Sequence, residues 1–159
     1  MIGHGIFQQC TNLISLNIPS SVKEIGEFAF YNSGLQSICF GSNSKLVKIS
    51  SYIFQHCSKL TSIEIPANIE EIGDFAFAIS GLESVRLSGL PSGLKIIQKC
   101  TFSDCANLSC VEIPSFVEEI GEDSFSNSLV LVECVLFAPN SKLKKIRTRT
   151  FRKCALKTI

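Results

Sequence analysis

Phenylalanine returns at Phe7, Phe30, Phe54, Phe77, Phe102, Phe125 and Phe151, at intervals of 23 to 26 residues along a chain of 159. A fixed period in the range of about 20–50 residues marks a stacked repeat architecture. It restricts the fold more than any propensity does. The text around each ring repeats as well: "IGEFAFYNSGLQSICF", "IGDFAFAISGLESVRL" and "IGEDSFSNS". After each Phe comes a strand-like alternation, as in Leu13-Leu16-Ile18, Leu35-Ile38-Phe40, Leu60-Ile63-Ile65 and Leu108-Val111-Ile113. A second apolar pair then leads to the next Phe, as in Val22-Ile25, Leu46-Ile49, Ile69-Ile72 and Val117-Ile120.

One such turn cannot bury its own apolar edge, but stacked turns share a continuous core. The chain therefore reads as a β-dominated repeat solenoid. It is expected to form one domain over residues 1–159, of about six turns plus partial terminal turns. In "LTSIEIP", Ile63 and Ile65 should face inward and Ser62 and Glu64 outward. Glycines in "IG" and "SG" suit corners needing unusual backbone angles. The phenylalanines form the spine. Composition agrees, since 45% apolar and 18% charged residues describe a globular chain. A net charge of +1 commits it to neither nucleic acid nor membrane. The start, "MIGHGIFQQC", carries no signal-peptide pattern, and "LVLVECVLFA" is too short to span a bilayer.

Turns also alternate. Strands ending "IP" lead into "SSVKEIG", "ANIEEIG" and "SFVEEIG", and the others into "GSNSKLVKI" or "APNSKLKKI", so the true unit is a pair of turns of 47–49 residues. Residues 13–30, "LISLNIPSSVKEIGEFAF", and residues 60–77 resemble the BspA-like class of leucine-rich repeats nearly word for word. The resemblance implies a right-handed superhelix with a parallel sheet and short helical or 3-10 turns. It also implies a surface antigen or adhesin that binds a protein ligand, of host or matrix type, without chemistry. The alternative function is an intracellular scaffold whose turns self-assemble.

Three residues after each Phe the chain reads Cys10, Ser33, Cys57, Ser80, Cys105, Ser128 and Cys154. Perfect alternation points to a small side chain filling a corner. Rungs about 4.8 Å apart put successive cysteines of this column about 9.6 Å apart, too far for a bridge. Cys100 falls in a column holding Gly5, Phe28, Tyr52, Phe75, Asp123 and Arg149, which suggests no constraint. Cys110 and Cys134 sit side by side on one sheet face, but their side chains project in parallel, so free thiols are expected at both. Eight cysteines with at most one pair in reach favour a reducing, cytoplasmic setting, against the surface location that the resemblance implies. No metal spacing, phosphate loop or nucleophile elbow is present, so no cofactor, metal or catalytic residue is expected.

Two surfaces remain as candidate sites. The outward strand positions are small residues beside Glu64, Glu83, Arg86, Glu112 and Glu133, the first choice for a protein ligand. Residues 142–159 hold eight basic side chains and no acid, including Lys142, Lys144, Lys145, Arg147, Arg149, Arg152 and Lys153. The rest of the chain carries seven basic against fourteen acidic residues, a formal −7. The basic end is expected to seek an acidic partner, such as the flank of another copy near Glu118, Glu119, Glu122 and Asp123, giving weak self-association through the solenoid ends. Nucleic acid ranks lower, because no aromatic residues interleave with the basic ones.

Overall fold

The structure is a computed structural model that describes residues 1–87, 93–129 and 134–156, with only the backbone of Cys134. Ten short strands are assigned among these residues. They are β1 (Ser15–Ile18), β2 (Ser37–Phe40), β3 (Lys48–Ile49), β4 (Glu71–Ile72) and β5 (Ser84–Val85). The remainder are β6 (Ile96–Ile97), β7 (Cys110–Ile113), β8 (Glu119–Ile120), β9 (Cys134–Phe137) and β10 (Lys145–Ile146). Every pairing is parallel, as winding in one direction requires.

Two faces of the coil emerge. The strand face carries β1–β2 and β5–β7–β9, and the second face carries β3–β4 and β6–β8–β10. Register sets apolar residue on apolar residue, with Leu16 opposite Ile38 and Val111 opposite both Val85 and Val135. A one-residue slip would turn each such pair outward, so burial fixes the register. Residues 61–66 keep the expected alternation, with Ile63 and Ile65 buried and Ser62 and Glu64 exposed. They nonetheless join no ladder, which corrects the expected strand to an extended segment. No side chain in the segment explains the break.

The phenylalanine spine is continuous. Seven rings stack face to face, with six centroid steps of 5.4 to 5.6 Å and planes within 12° of parallel. The five rings from Phe30 to Phe125 are wholly buried. Leucine and isoleucine from both faces, such as Leu35, Leu60, Ile72 and Ile120, close the core around them.

No helix is assigned among the described residues, so the expected helical or 3-10 pieces are hydrogen-bonded turns instead. The reason lies in two columns of left-handed backbone. Residues two before each Phe (Gly5, Phe28, Tyr52, Phe75, Cys100, Asp123, Arg149) have φ of +52° to +60°. Residues two after it (Gln9, Asn32, His56, Ile79, Asp104, Asn127, Lys153) have φ of +51° to +63°. Left-handed residues four positions apart, on either side of each Phe, end any helical run there. It also corrects the idea that the column of Cys100 is unconstrained.

That strain, of order 1–3 kcal/mol per residue, is offset by bonding between turns. In the left-handed conformation the N–H groups of Tyr52 and His56 donate to Asp74 and Ala78 of the next turn, each at 3.0 Å, and Phe54 between them donates to Ala76 at 2.9 Å. The corner is thus a bent ladder. The glycines serve a different purpose from the one expected. Gly5 is the only described glycine with positive φ. Gly34 and Gly81 are required by close approach, since a Cβ would lie 1.9 Å from the Thr11 carbonyl oxygen and 2.2 Å from that of Ser58.

Candidate protein-binding face

Parallel strands with alternate residues turned inward leave a regular outward grid on the strand face. Glu64, Arg86 and Glu112 occupy one column of this grid on three successive turns, and all three are exposed. The pairing of Ser84 with Cys110 places Arg86 across from Glu112. The Glu83 N–H bonds the Thr61 carbonyl at 2.9 Å, which by the same count places Glu64 across from Arg86. Glu83 lies exposed on the same rung as Arg86. Among the described residues none of these four side chains makes an ion pair or a side-chain hydrogen bond. Glu133, the fifth residue expected here, lies outside the described residues.

Some charges of the second face and the late turns pair between turns. On the second face Lys48 meets Glu71 at 2.7 Å, as the alternating signs of that column suggest. The basic segment folds onto the turn before it. Lys144 bonds Glu118 at 2.5 Å, Arg147 bonds Glu119, and Arg149 bridges Glu122 at 2.6 Å and Asp123 at 2.9 Å. Lys99 approaches Glu122 from the other side at 3.7 Å. The Lys144 ammonium, by hydrogen bond and charge, holds the Glu118 carboxyl below its ordinary range. Asp123 and Glu122 raise the Arg149 guanidinium. The acidic flank expected to receive another copy is therefore ion-paired with this chain's own basic turn, with its carboxylates still partly exposed. Lys142, Lys145, Arg152 and Lys153 pair with no described acid, and Lys157 lies outside the described residues.

A family model for the BspA type leucine-rich repeat region matches in six copies, over residues 1–89 and 88–159. The chain belongs to that family. Curated proteins give no match. Among solved structures, a leucine-rich repeat protein from Bacteroides ovatus superposes with a TM-score of 0.59 at 23% identity, over 100% of this chain and 46% of its own. A leucine-rich cell surface protein from Faecalibacterium prausnitzii gives 0.55 at 18%, covering 84% of this chain and 47% of its own. The pneumococcal vaccine antigen PcpA gives 0.53 at 20%, covering 84% and 46%. At these identities the likeness is one of fold. The chain spans less than half the length of each.

In this BspA-type solenoid the corner cysteines are structural. The Cys57 and Cys105 thiols each donate to the carbonyl of Phe30 or Phe77 at 3.1 Å, and Ser33 and Ser80 lie 3.5 and 3.4 Å from the sulfurs. Burial raises the pKa of both, that of Cys105 to about 11. A protonated, enclosed thiol is a poor nucleophile. Burial, with Asp123 adding to it, also brings Cys100 to about 11. Cys10, Cys39, Cys57, Cys100, Cys105 and Cys154 are free. Cys110 is not: it is disulfide-bonded, which corrects the expectation of a free thiol there.

Sequence reasoning missed an aromatic corner on the early turns. Phe28, Tyr52 and Phe75 stack at 4.6 and 5.1 Å outside the spine, with Tyr31 and His56 meeting edge-on at 5.4 Å beside them. All five are half-buried. The signal was there in the columns, at two residues before and one or two after each Phe. On the second face two shallow clefts of ≈ 360 and ≈ 320 Å³ share Ile96 and Gln98. Ile96 is the apolar member of an otherwise charged column. Among the described residues no cluster could hold a metal, and no helix is long and apolar enough to cross a membrane.

Proposed function

We propose that this chain is a non-catalytic protein-binding module whose ligand, a host or matrix protein, docks on the strand face in the manner of an adhesin or surface antigen. The observation that carries this reading is the contrast in charge pairing. Glu64, Glu83, Arg86 and Glu112 are exposed and unpaired, whereas the acids of residues 118–123 are matched within the chain. Unpaired charges in a fixed array select partners and steer their approach. The location that suits this role is the cell surface. The disulfide at Cys110 fits an oxidising setting better than a reducing one, and one structural neighbour is named a cell surface protein.

The test is binding by biolayer interferometry to a panel of purified host-matrix proteins, with wild type and a variant carrying E64K, R86E and E112K. At least one panel member should bind wild type, with a loss of roughly tenfold or more in the variant. A panel that gives no binding, or binding that the triple reversal leaves intact, contradicts the reading.

A further inference from the structure

We infer that the strand face accepts an α-helix lying along the solenoid axis, with basic, acidic and basic side chains at positions i, i+3 and i+7. The inference deepens the proposed function and rests on the strand face being the ligand face. Glu64, Arg86 and Glu112 set out a negative, positive, negative column on three successive turns, each side chain exposed and without a partner among the described residues. Glu83 adds a third acid beside the single base. A complementary ligand must then be net basic, with one acid held between two bases.

Spacing selects the backbone that can present such a row. The spine rings of these three turns, Phe54, Phe77 and Phe102, lie 5.4 Å apart at each step. Two ladder steps of about 4.8 Å span close to 10 Å. The outer charges of the column are therefore about 10–11 Å apart, with the third midway. In an α-helix, positions i, i+3 and i+7 are displaced along the axis by about 4.5 and then 6 Å, or about 10.5 Å in all. An extended strand puts same-face side chains about 6.7 Å apart and overshoots to about 13 Å. A polyproline II helix returns to one face only every third residue, about 9.3 Å, so it can meet the two acids and leaves Arg86 without an acid. Of the three regular backbones, only the α-helix places all three charges.

Single exposed ion pairs are weak. The row consequently acts on register and orientation, the usual contribution of charge at an interface. An acid set against Glu64 or Glu112, or a base against Arg86, is repelled, so a sign-reversed helix is excluded as well as unrewarded.

The experiment uses three fluorescein-labelled, alanine-rich helical peptides and fluorescence anisotropy at low salt. One carries Lys, Glu and Lys at i, i+3 and i+7. A second has the same composition with the charges at i, i+2 and i+4. The third carries Glu, Lys and Glu at i, i+3 and i+7. Wild type should prefer the first over the other two by about fivefold or more, and the protein with E64K, R86E and E112K should invert the preference between first and third. Circular dichroism of the variant checks that it folds. If all three peptides bind alike, or none binds, or the variant keeps the wild-type preference, the helix assignment is overturned. The matrix-protein panel separates the two levels. Panel binding lost in the variant together with peptide indifference would leave the strand face standing and remove the helix alone.

Discussion

The early and late turns of this solenoid solve one backbone problem with different chemistry. Both place a left-handed residue two positions before the spine phenylalanine. In the early turns that residue is Phe28, Tyr52 or Phe75, stacked ring on ring, above buried Ala29, Ile53 and Ala76. In the later turns it is Cys100, Asp123 or Arg149, above buried Thr101, Ser124 and Thr150. Hydroxyls and ion pairs replace rings. Thr150 donates to the Arg147 carbonyl at 2.8 Å, Arg149 ties the corner to Glu122 and Asp123, and the Ser124 hydroxyl is buried without a partner. A positive φ common to every turn must therefore come from the turn's hydrogen bonding and not from any one residue type. The outer shell can vary as long as the spine and the bonds between turns persist.

The largest effect should come from the element common to both halves. Phe77→Ala removes a wholly buried ring between two others and should cost about 3–5 kcal/mol. Phe102→Ala, at the boundary between the two kinds of corner, should cost a similar amount, whereas Glu64→Ala on the strand face should change stability by less than about 0.5 kcal/mol. Urea midpoints measure all three. Comparable midpoints for Phe77→Ala and Glu64→Ala would mean that inward and outward columns have been exchanged. Gly81→Ala should follow, at about 2–3 kcal/mol, because its new carbon must displace the Ser58 carbonyl.

The spine, the inward and outward alternation and the corner role of the cysteines could all be read from the sequence, because each repeats one residue type in one column. The left-handed columns could not. Phe, Tyr, Cys and Arg share no propensity for positive φ, and among the described glycines only Gly5 stands in a left-handed column. The fate of the basic segment was half visible. Charge segregation was plain, but its pairing with residues 118–123 depends on register, an offset of about one turn from Glu118 to Lys144. On the strand face the four described charges, Glu64, Glu83, Arg86 and Glu112, are exposed, while the break at residues 61–66 left no mark on the alternation.

Smaller effects sharpen the contrast between corners. Tyr52→Ala loses ring stacking and keeps the strain, while Tyr52→Gly loses the ring and relieves it. The glycine variant should be the more stable by about 1 kcal/mol. Equal stability would argue that position 52 is unstrained. In native protein at pH 8, mass spectrometry should find exposed Cys10 and Cys39 alkylated well before Cys57, Cys100 and Cys105, whose thiols burial holds protonated. Titration of the denatured, unreduced protein should return at least six thiols.

The smallest effect belongs to the ion-paired corner. Glu118 has its pKa lowered in the folded state, so its pairing stabilises the fold at neutral pH and is lost as pH falls below the ordinary carboxylate value of 4.5. Thermal melts should show a modest loss of stability on acidification through that range, and a similar loss on raising salt at neutral pH. Both should shrink in the Lys144→Ala variant. An unchanged acid response in that variant would mean that other carboxylates carry it.

The account turns on one division, between the strand-face charges, unpaired among the described residues, and the matched acids of residues 118–123. Carboxyl footprinting by carbodiimide coupling and mass spectrometry examines it residue by residue, using a matrix protein that binds in the interferometry panel. In the free protein Glu64, Glu83 and Glu112 should label quickly, and Glu118, Glu119, Glu122 and Asp123 slowly. On binding, the first group should become protected and the second should not change. Protection confined to residues 118–123, with Glu64, Glu83 and Glu112 still labelling at their free rates, would contradict the assignment of the strand face.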